Sequence, residues 1–315
     1  MNRRYLLKSF RNGKDVGSYA TVRFEIVGET ELGKEKIKFE TDMHYLDIGE
    51  GEPVLFIHGI GQSLYTWRKN VDFFVRNGFR VIAVDLPGFG YSGHPNIYYT
   101  AEEYALIIES FLDSVNLKRA HIAACSGGGV IALCFAAANP KRADKLVLVS
   151  PGGPNANYPF SMKITSTWLG GAVSKLYIGE SAVRNTLQKM FFDVTLVDGE
   201  VTEGYYAPFR NKGVRETLSM CMTHFDDTYT RSLLKEIKSA TLIFYGTDDK
   251  IHNEKTVCSY ASVIPDAKII RIRNCGHLLH EEKPLKFNEE SIKFLRASQS
   301  AVNIIGSYRR SQVEY

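Results

Sequence analysis

From about residue 52 to residue 150, short and uniformly apolar runs alternate with longer amphipathic ones. Val54-Leu55-Phe56-Ile57, Arg80-Val81-Ile82-Ala83-Val84, Ala120-His121-Ile122-Ala123-Ala124 and Lys145-Leu146-Val147-Leu148-Val149 are runs of the first kind. A strand that is apolar on both sides of its pleat has to be covered on both sides. These runs therefore predict a parallel sheet between two helical layers. Upstream, Thr21–Val27, Lys36–Phe39 and Met43–Asp47 alternate apolar with polar residues instead, which predicts half-buried antiparallel strands ending at the Gly49-Glu50-Gly51 turn. Thr100-Ala101-Glu102-Glu103 matches a capping box. Tyr104, Ile107, Ile108, Phe111, Leu112 and Val115 then recur at three- and four-residue steps, giving a helix with one apolar stripe. Late in the chain, Thr241–Tyr245 and Lys268–Ile272 add two strands, and a last helix is expected over Leu285–Leu295.

The rhythm breaks between Pro151 and Glu236, where aromatic residues and amphipathic helical pieces replace the valine-rich runs. Trp168, Phe191 and Phe192 are the first candidates there for a mostly apolar pocket, with the bulk of the aromatics forming that segment's own core.

Ser126 closes an apolar run, Gly127-Gly128-Gly129 follows it, and Val130–Ala136 then reads as a buried helix. A strand-to-helix turn this sharp leaves no room for side chains beside the serine, and it would lift the hydroxyl out of the sheet. By itself the stretch could equally be a glycine-rich turn with an incidental serine. Three further segments bear on the choice. His58-Gly59-Ile60-Gly61 follows one strand run, Gly246-Thr247-Asp248-Asp249 follows another, and Asn274-Cys275-Gly276-His277 follows the last. A serine, an acid and a histidine thus come in that order, each just beyond a predicted strand.

In this the chain resembles the α/β-hydrolase superfamily, over residues 36 to 297. It departs from the pattern at Ala124, where glycine is usual two residues before the nucleophile. The resemblance implies a mostly parallel central sheet with helices on both faces and a helical cap inserted before the acid-bearing strand. The core would be residues 1–150 and 236–315, with 1–20 an N-terminal extension and 298–315 a weakly patterned tail. Residues 151–235 would be the cap. It also implies Ser126 as nucleophile, His277 as base in preference to His280, and Asp249 in preference to Asp248 as the acid that orients the base. The amides of Ile60 and Gly127 would form the oxyanion hole, with His58 shaping the loop rather than reacting. Cys125 would point away from the site. The expected function is a cofactor-free serine hydrolase that cleaves an ester or thioester carrying an apolar group. The same triad serves C–C bond hydrolases, lyases, cyclases and slow ligand-binding receptors, so these stay open.

Composition adds exclusions. The 315 residues carry 44% hydrophobic and 23% charged side chains with a net charge of +4, and the basic residues are scattered, so nucleic acid is not an expected partner. Asp85-Leu86-Pro87-Gly88-Phe89-Gly90 lacks both the Walker lysine and the dinucleotide glycine spacing and reads as a structural turn. The 5 cysteines are odd in number and show no metal-ligand spacing, which fits a reducing, cytoplasmic setting and no metal. The basic start lacks a signal peptide's apolar stretch, and no membrane span is expected.

Overall fold

The computed structural model describes residues 17–30, 33–153, 178–297 and 313–314. The alternating segments form a long hairpin, β1 (Ser18–Thr30) antiparallel to β2 (Gly33–Ile48). Both strands run well past the alternation that predicted them. The uniformly apolar runs become β3 (Glu52–Ile57), β4 (Phe79–Val84), β5 (Ala120–Cys125) and β6 (Ala143–Val149). β7 (Thr241–Gly246) and β8 (Ala267–Ile272) extend the same sheet. At its far edge the two-residue β9 (Val313–Glu314) pairs with β8, a contact that the weak pattern of the tail did not predict. The sheet order is β1-β2-β4-β3-β5-β6-β7-β8-β9, and every pairing from β4 onward is parallel.

Two helical layers bury the strands. Phe56 on β3 meets Trp67 and Phe74 edge-on, with ring centroids 5.0 Å away in each case, and Phe287 joins this cluster from Phe244 on β7. That face is covered by α1 (Val71–Arg76) and by α10 (Pro284–Arg296), the predicted closing helix. Alternate residues such as Leu55 and Ile57 point the other way and are equally buried. Their face is covered by α2 (Ala101–Ser114) and α3 (Gly127–Ala138), which pack on each other.

Between β6 and β7 come α4 (Glu180–Met190), α5 (Gly199–Tyr206), α6 (Lys212–His224) and α7 (Thr228–Leu233). α8 (Glu254–Ala261) joins β7 to β8, and the short α9 (Leu279–Glu282) precedes α10. No helix among the described residues is long and apolar enough to cross a membrane.

The start of α2 is specified as the sequence implies. Thr100 Oγ1 accepts from the Glu103 amide at 3.2 Å, and the Glu103 carboxylate accepts from the Thr100 amide at 3.0 Å. Thr100→Ala breaks the first of these bonds and should cost about 1 kcal/mol. A lower urea midpoint with unchanged slope would register that cost, and an unchanged midpoint would show that Glu103 holds the helix start alone.

Candidate active site

All three candidate triad residues lie just past the C-terminal ends of parallel strands, where chain crossing from one layer to the other leaves a crevice. Ser126 follows β5 directly and has φ 53° and ψ −127°, a conformation that non-glycine residues avoid. The turn has no spare space: a Cβ on Gly128 would sit 2.3 Å from the His58 carbonyl oxygen. A Cβ on Gly127 would lie 3.6 Å from the Ile60 amide nitrogen, so the two expected oxyanion donors are close neighbours. Among the described residues no acceptor bonds to either amide.

His58 and Gln62 set the shape of the oxyanion loop. His58 Nε2 accepts from the Leu86 amide at 2.9 Å, which puts the ring proton on Nδ1, 2.8 Å from the Gly59 carbonyl. Burial lowers the pKa of this histidine, in keeping with its neutral, fully bonded state. Gln62 Oε1 accepts from the Gly59 amide at 3.1 Å and from Cys125 Sγ at 3.3 Å, tying the loop to the strand that leads into Ser126. Cys125 is buried, and burial pushes its thiol pKa far up, so it is a packed hydrogen-bond donor and not a reactive thiolate.

Asp249 Oδ2 lies 2.8 Å from His277 Nδ1, and its other oxygen accepts from the amides of Ile251 and His252 at 2.8 and 2.9 Å. Burial opposes ionisation of Asp249, but His277 and these hydrogen bonds outweigh it and hold the carboxyl below its ordinary range. Asp248 is only half-buried and accepts from the Thr247 hydroxyl beside it at 2.8 Å. The Asp249 bond fixes the His277 tautomer. His277 Nε2 is then left buried and without a hydrogen-bond partner among the described residues. His280 sits elsewhere, stacked 4.3 Å from Trp67 with Nε2 2.8 Å from Thr66 Oγ1, and burial lowers its pKa to about 3.

Two carboxylates that the sequence did not single out hold the histidine loop. Glu282 accepts from the amides of Gly276, Phe192 and Asp193 at 2.6, 2.9 and 3.1 Å. The His277 amide itself donates to the Met190 carbonyl at 2.7 Å, so the chain leaving α4 lies directly on this loop. Glu281 is fully buried and pairs with Arg68 at 2.5 Å. It also accepts from the Tyr205 hydroxyl of α5, which lies 2.8 Å from Thr66 Oγ1. Glu281 and Glu282 were visible as acids after His277, but no sequence pattern names partners as distant as Phe192, Tyr205 and Arg68.

Of the three aromatic candidates for the pocket, Phe191 is 1% exposed and packed in the apolar core, and Phe192 is 44% exposed. Trp168 lies outside the described residues. Asp85 stands inside the loop that follows β4 and accepts from the amides of Leu64 and Tyr91 and from His44 Nδ1, which makes that loop a structural turn.

Residues 52–284 match the family described as alpha/beta hydrolase fold. A 2-hydroxy-6-oxo-6-phenylhexa-2,4-dienoate hydrolase of Comamonas testosteroni is 31% identical over 294 residues, covering 88% of this chain and 96% of its own. A 2-hydroxy-6-oxononadienedioate/2-hydroxy-6-oxononatrienedioate hydrolase of the same species is 29% identical, covering 89% and 98%. Among solved structures, a meta-cleavage product hydrolase from Pseudomonas fluorescens IP01 superposes with a TM-score of 0.70 at 24% identity, covering 81% of this chain and 94% of its own.

Two outcomes follow from the site's electrostatics. Asp249→Asn should cut turnover much more than Asp248→Asn, on the order of 10³-fold or more, because only Asp249 holds the histidine tautomer. Steady-state rates of the two variants decide this, and the reverse order would move the acid to Asp248. Acid should also weaken the fold. An unfolded histidine takes up a proton below a pH of about 6.5. His280 and His252, when folded, refuse it down to about 3 and about 4. The unfolded state therefore binds more protons across that window, and stability falls as pH falls. The urea midpoint should be lower at pH 5 than at pH 7, and His280→Gln, which keeps a partner for Thr66, should narrow the gap.

Proposed function

The chain belongs to the α/β-hydrolase family, and from that premise we propose that it is a serine hydrolase whose Ser126 attacks the carbonyl carbon of a neutral ester or thioester. The observation that carries this reading is the His277 ring, bonded to Asp249 through Nδ1 and with Nε2 buried and unbonded among the described residues. A serine hydroxyl is too weak an acid to react alone, and such an imidazole is the base it needs.

In the proposed reaction His277 Nε2 takes the Ser126 proton as Oγ bonds to the carbonyl carbon. The carbonyl oxygen becomes an oxyanion and receives the Ile60 and Gly127 amide hydrogens. One such donor is worth roughly 3–4 kcal/mol in comparable hydrolases. The imidazolium, stabilised by Asp249, then protonates the leaving alcohol or thiol, and the acyl group stays on Ser126. Water then bonds to the acyl carbon as His277 takes its proton, the bond to Ser126 Oγ breaks, and His277 returns the proton to Oγ as the acid leaves.

The helices between β6 and β7 act in this reading as a cap that shapes the acyl pocket. A second reading, hydrolysis of a C–C bond beside a ketone, is favoured by the relatives that act on 2-hydroxy-6-oxo-dienoates. Those substrates carry a carboxylate, and the same serine, histidine and amides would serve the bond cleavage.

The purified protein should hydrolyse p-nitrophenyl acyl esters, and Ser126→Ala should lose on the order of 10³-fold or more in kcat while remaining folded. Near-parental activity in that variant would sink the serine mechanism. Rapid bleaching of 2-hydroxy-6-oxo-6-phenylhexa-2,4-dienoate together with negligible ester turnover would install the second reading in place of the first. For the pocket, the two described aromatics should part ways. Phe191→Ala should mainly destabilise, by about 3–5 kcal/mol. Phe192→Ala should move the preferred acyl length at little cost in melting temperature. An unchanged chain-length profile in Phe192→Ala would place the pocket wall elsewhere.

A further inference from the structure

His252 is buried, and the triad does not use it. Its ring meets the His277 ring edge-on, with centroids 5.0 Å apart at 86°. Its amide donates to the Asp249 carboxylate at 2.9 Å. Its Nδ1 lies 2.9 Å from the Ser150 carbonyl and its Nε2 3.2 Å from that of Gly153, both just past the end of β6. The backbone there lies so close to the imidazole that a Cβ on Gly152 would come within 2.6 Å of the ring. The Gly152 amide in turn donates to the Ser126 carbonyl at 3.3 Å. One residue thus meets the acid of the triad with its amide and the base with its ring, and that ring also lies against the segment bonded to the nucleophile's own backbone.

We propose that His252 is a positioning residue for the reaction, its imidazole being the spacer that sets the separation between the Ser126 elbow and the His277 ring. This rests on the serine-hydrolase reading above and adds to it a determinant outside the triad. The argument is steric first. His277 and Gly152 both pack against this ring, so its bulk limits how closely the two can approach. Chemistry then explains why the spacer is a histidine. The Ser150 carbonyl faces it in a buried setting, and an unpaired carbonyl there would cost stability. A neutral imidazole has one N–H, which serves the nearer Ser150 carbonyl, and the same ring fills the space against His277. Charge fits as well. Burial, reinforced by His277, lowers the pKa of His252 to about 4, so it stays neutral while His277 cycles through its cation. A charged spacer would oppose that cation.

Three variants separate the parts of this role. His252→Phe keeps a ring of similar thickness and loses the donor. His252→Asn keeps a donor near the Nδ1 position and loses the ring. His252→Ala loses both. With p-nitrophenyl acetate as the probe, kcat should fall roughly tenfold in the Phe variant, and on the order of 10²-fold in the Asn and Ala variants. KM should stay within about twofold in all three. A merely structural role would rank the variants by melting temperature, without the Phe variant retaining the most kcat. Parental kcat in folded Asn and Phe variants would overturn the proposal, as would a loss carried by KM. If the Ala variant does not fold, the Asn and Phe variants decide alone. Ser126→Ala keeps the two claims apart. Survival of its activity refutes the hydrolase reading, whereas its inactivity beside parental His252 variants refutes only the spacer.

Discussion

The site is organised around one strained residue. Ser126 sits at φ 53° and ψ −127°, a conformation that costs on the order of 1–3 kcal/mol for a residue with a side chain. It persists because its surroundings over-determine it. The Ser126 amide donates to the Val149 carbonyl at 2.9 Å, and its carbonyl accepts from Gly129 and Gly152. β5 itself is buried along its whole length, between β3 and β6. Relaxing the turn would break these bonds and unseat a central strand, so the strain is held in place. The same turn opens α3 and leaves the Gly127 amide without an acceptor among the described residues, close to Ile60, so the serine and the two amides proposed to act with it share one cause.

Burial governs the rest of the electrostatics. Ser126, Asp249 and His277 are all nearly inaccessible, and each charge near them has its own compensation. Asp249 has two amides and an imidazole, Glu282 has three amides, and Glu281 has Arg68 and Tyr205. Burial lowers the pKa of His252 and His280 and holds both neutral. Asp249 is paired with His277 at 2.8 Å. The same low-dielectric setting that makes stray charges costly makes that attraction strong.

The sequence was most legible where local rules decide. Uniformly apolar runs named the parallel strands, the Thr100–Glu103 capping box named the start of α2, and serine, acid and histidine stood at strand ends in order. The choice between neighbours such as Asp248 and Asp249 needed the resemblance, since both are loop carboxylates by composition. Gln62, His252, Glu281 and Glu282 were not legible, and the reason is common to all four. Each acts through partners far away in sequence, across crossings set by the sheet order, and a polar residue in a loop gives no local sign of that. The hairpin was found but underestimated, because strand pairing continued past the end of the apolar alternation. The β8–β9 pairing lay in a segment with no pattern to read.

The helices after β6 are joined to the core through a buried charge pair. Arg68 and Glu281 are buried together where the 3₁₀ turn Leu64–Trp67, α5 and α9 meet, with Tyr205 and Thr66 completing the cluster. Withdrawing Arg68 would strand Glu281 in the interior, and breaking a buried pair in this way costs about 3–5 kcal/mol. Glu281 follows His277 by four residues and its neighbour Glu282 holds the Gly276 amide, so the pair that fastens α5 to the core also fastens the segment that carries His277.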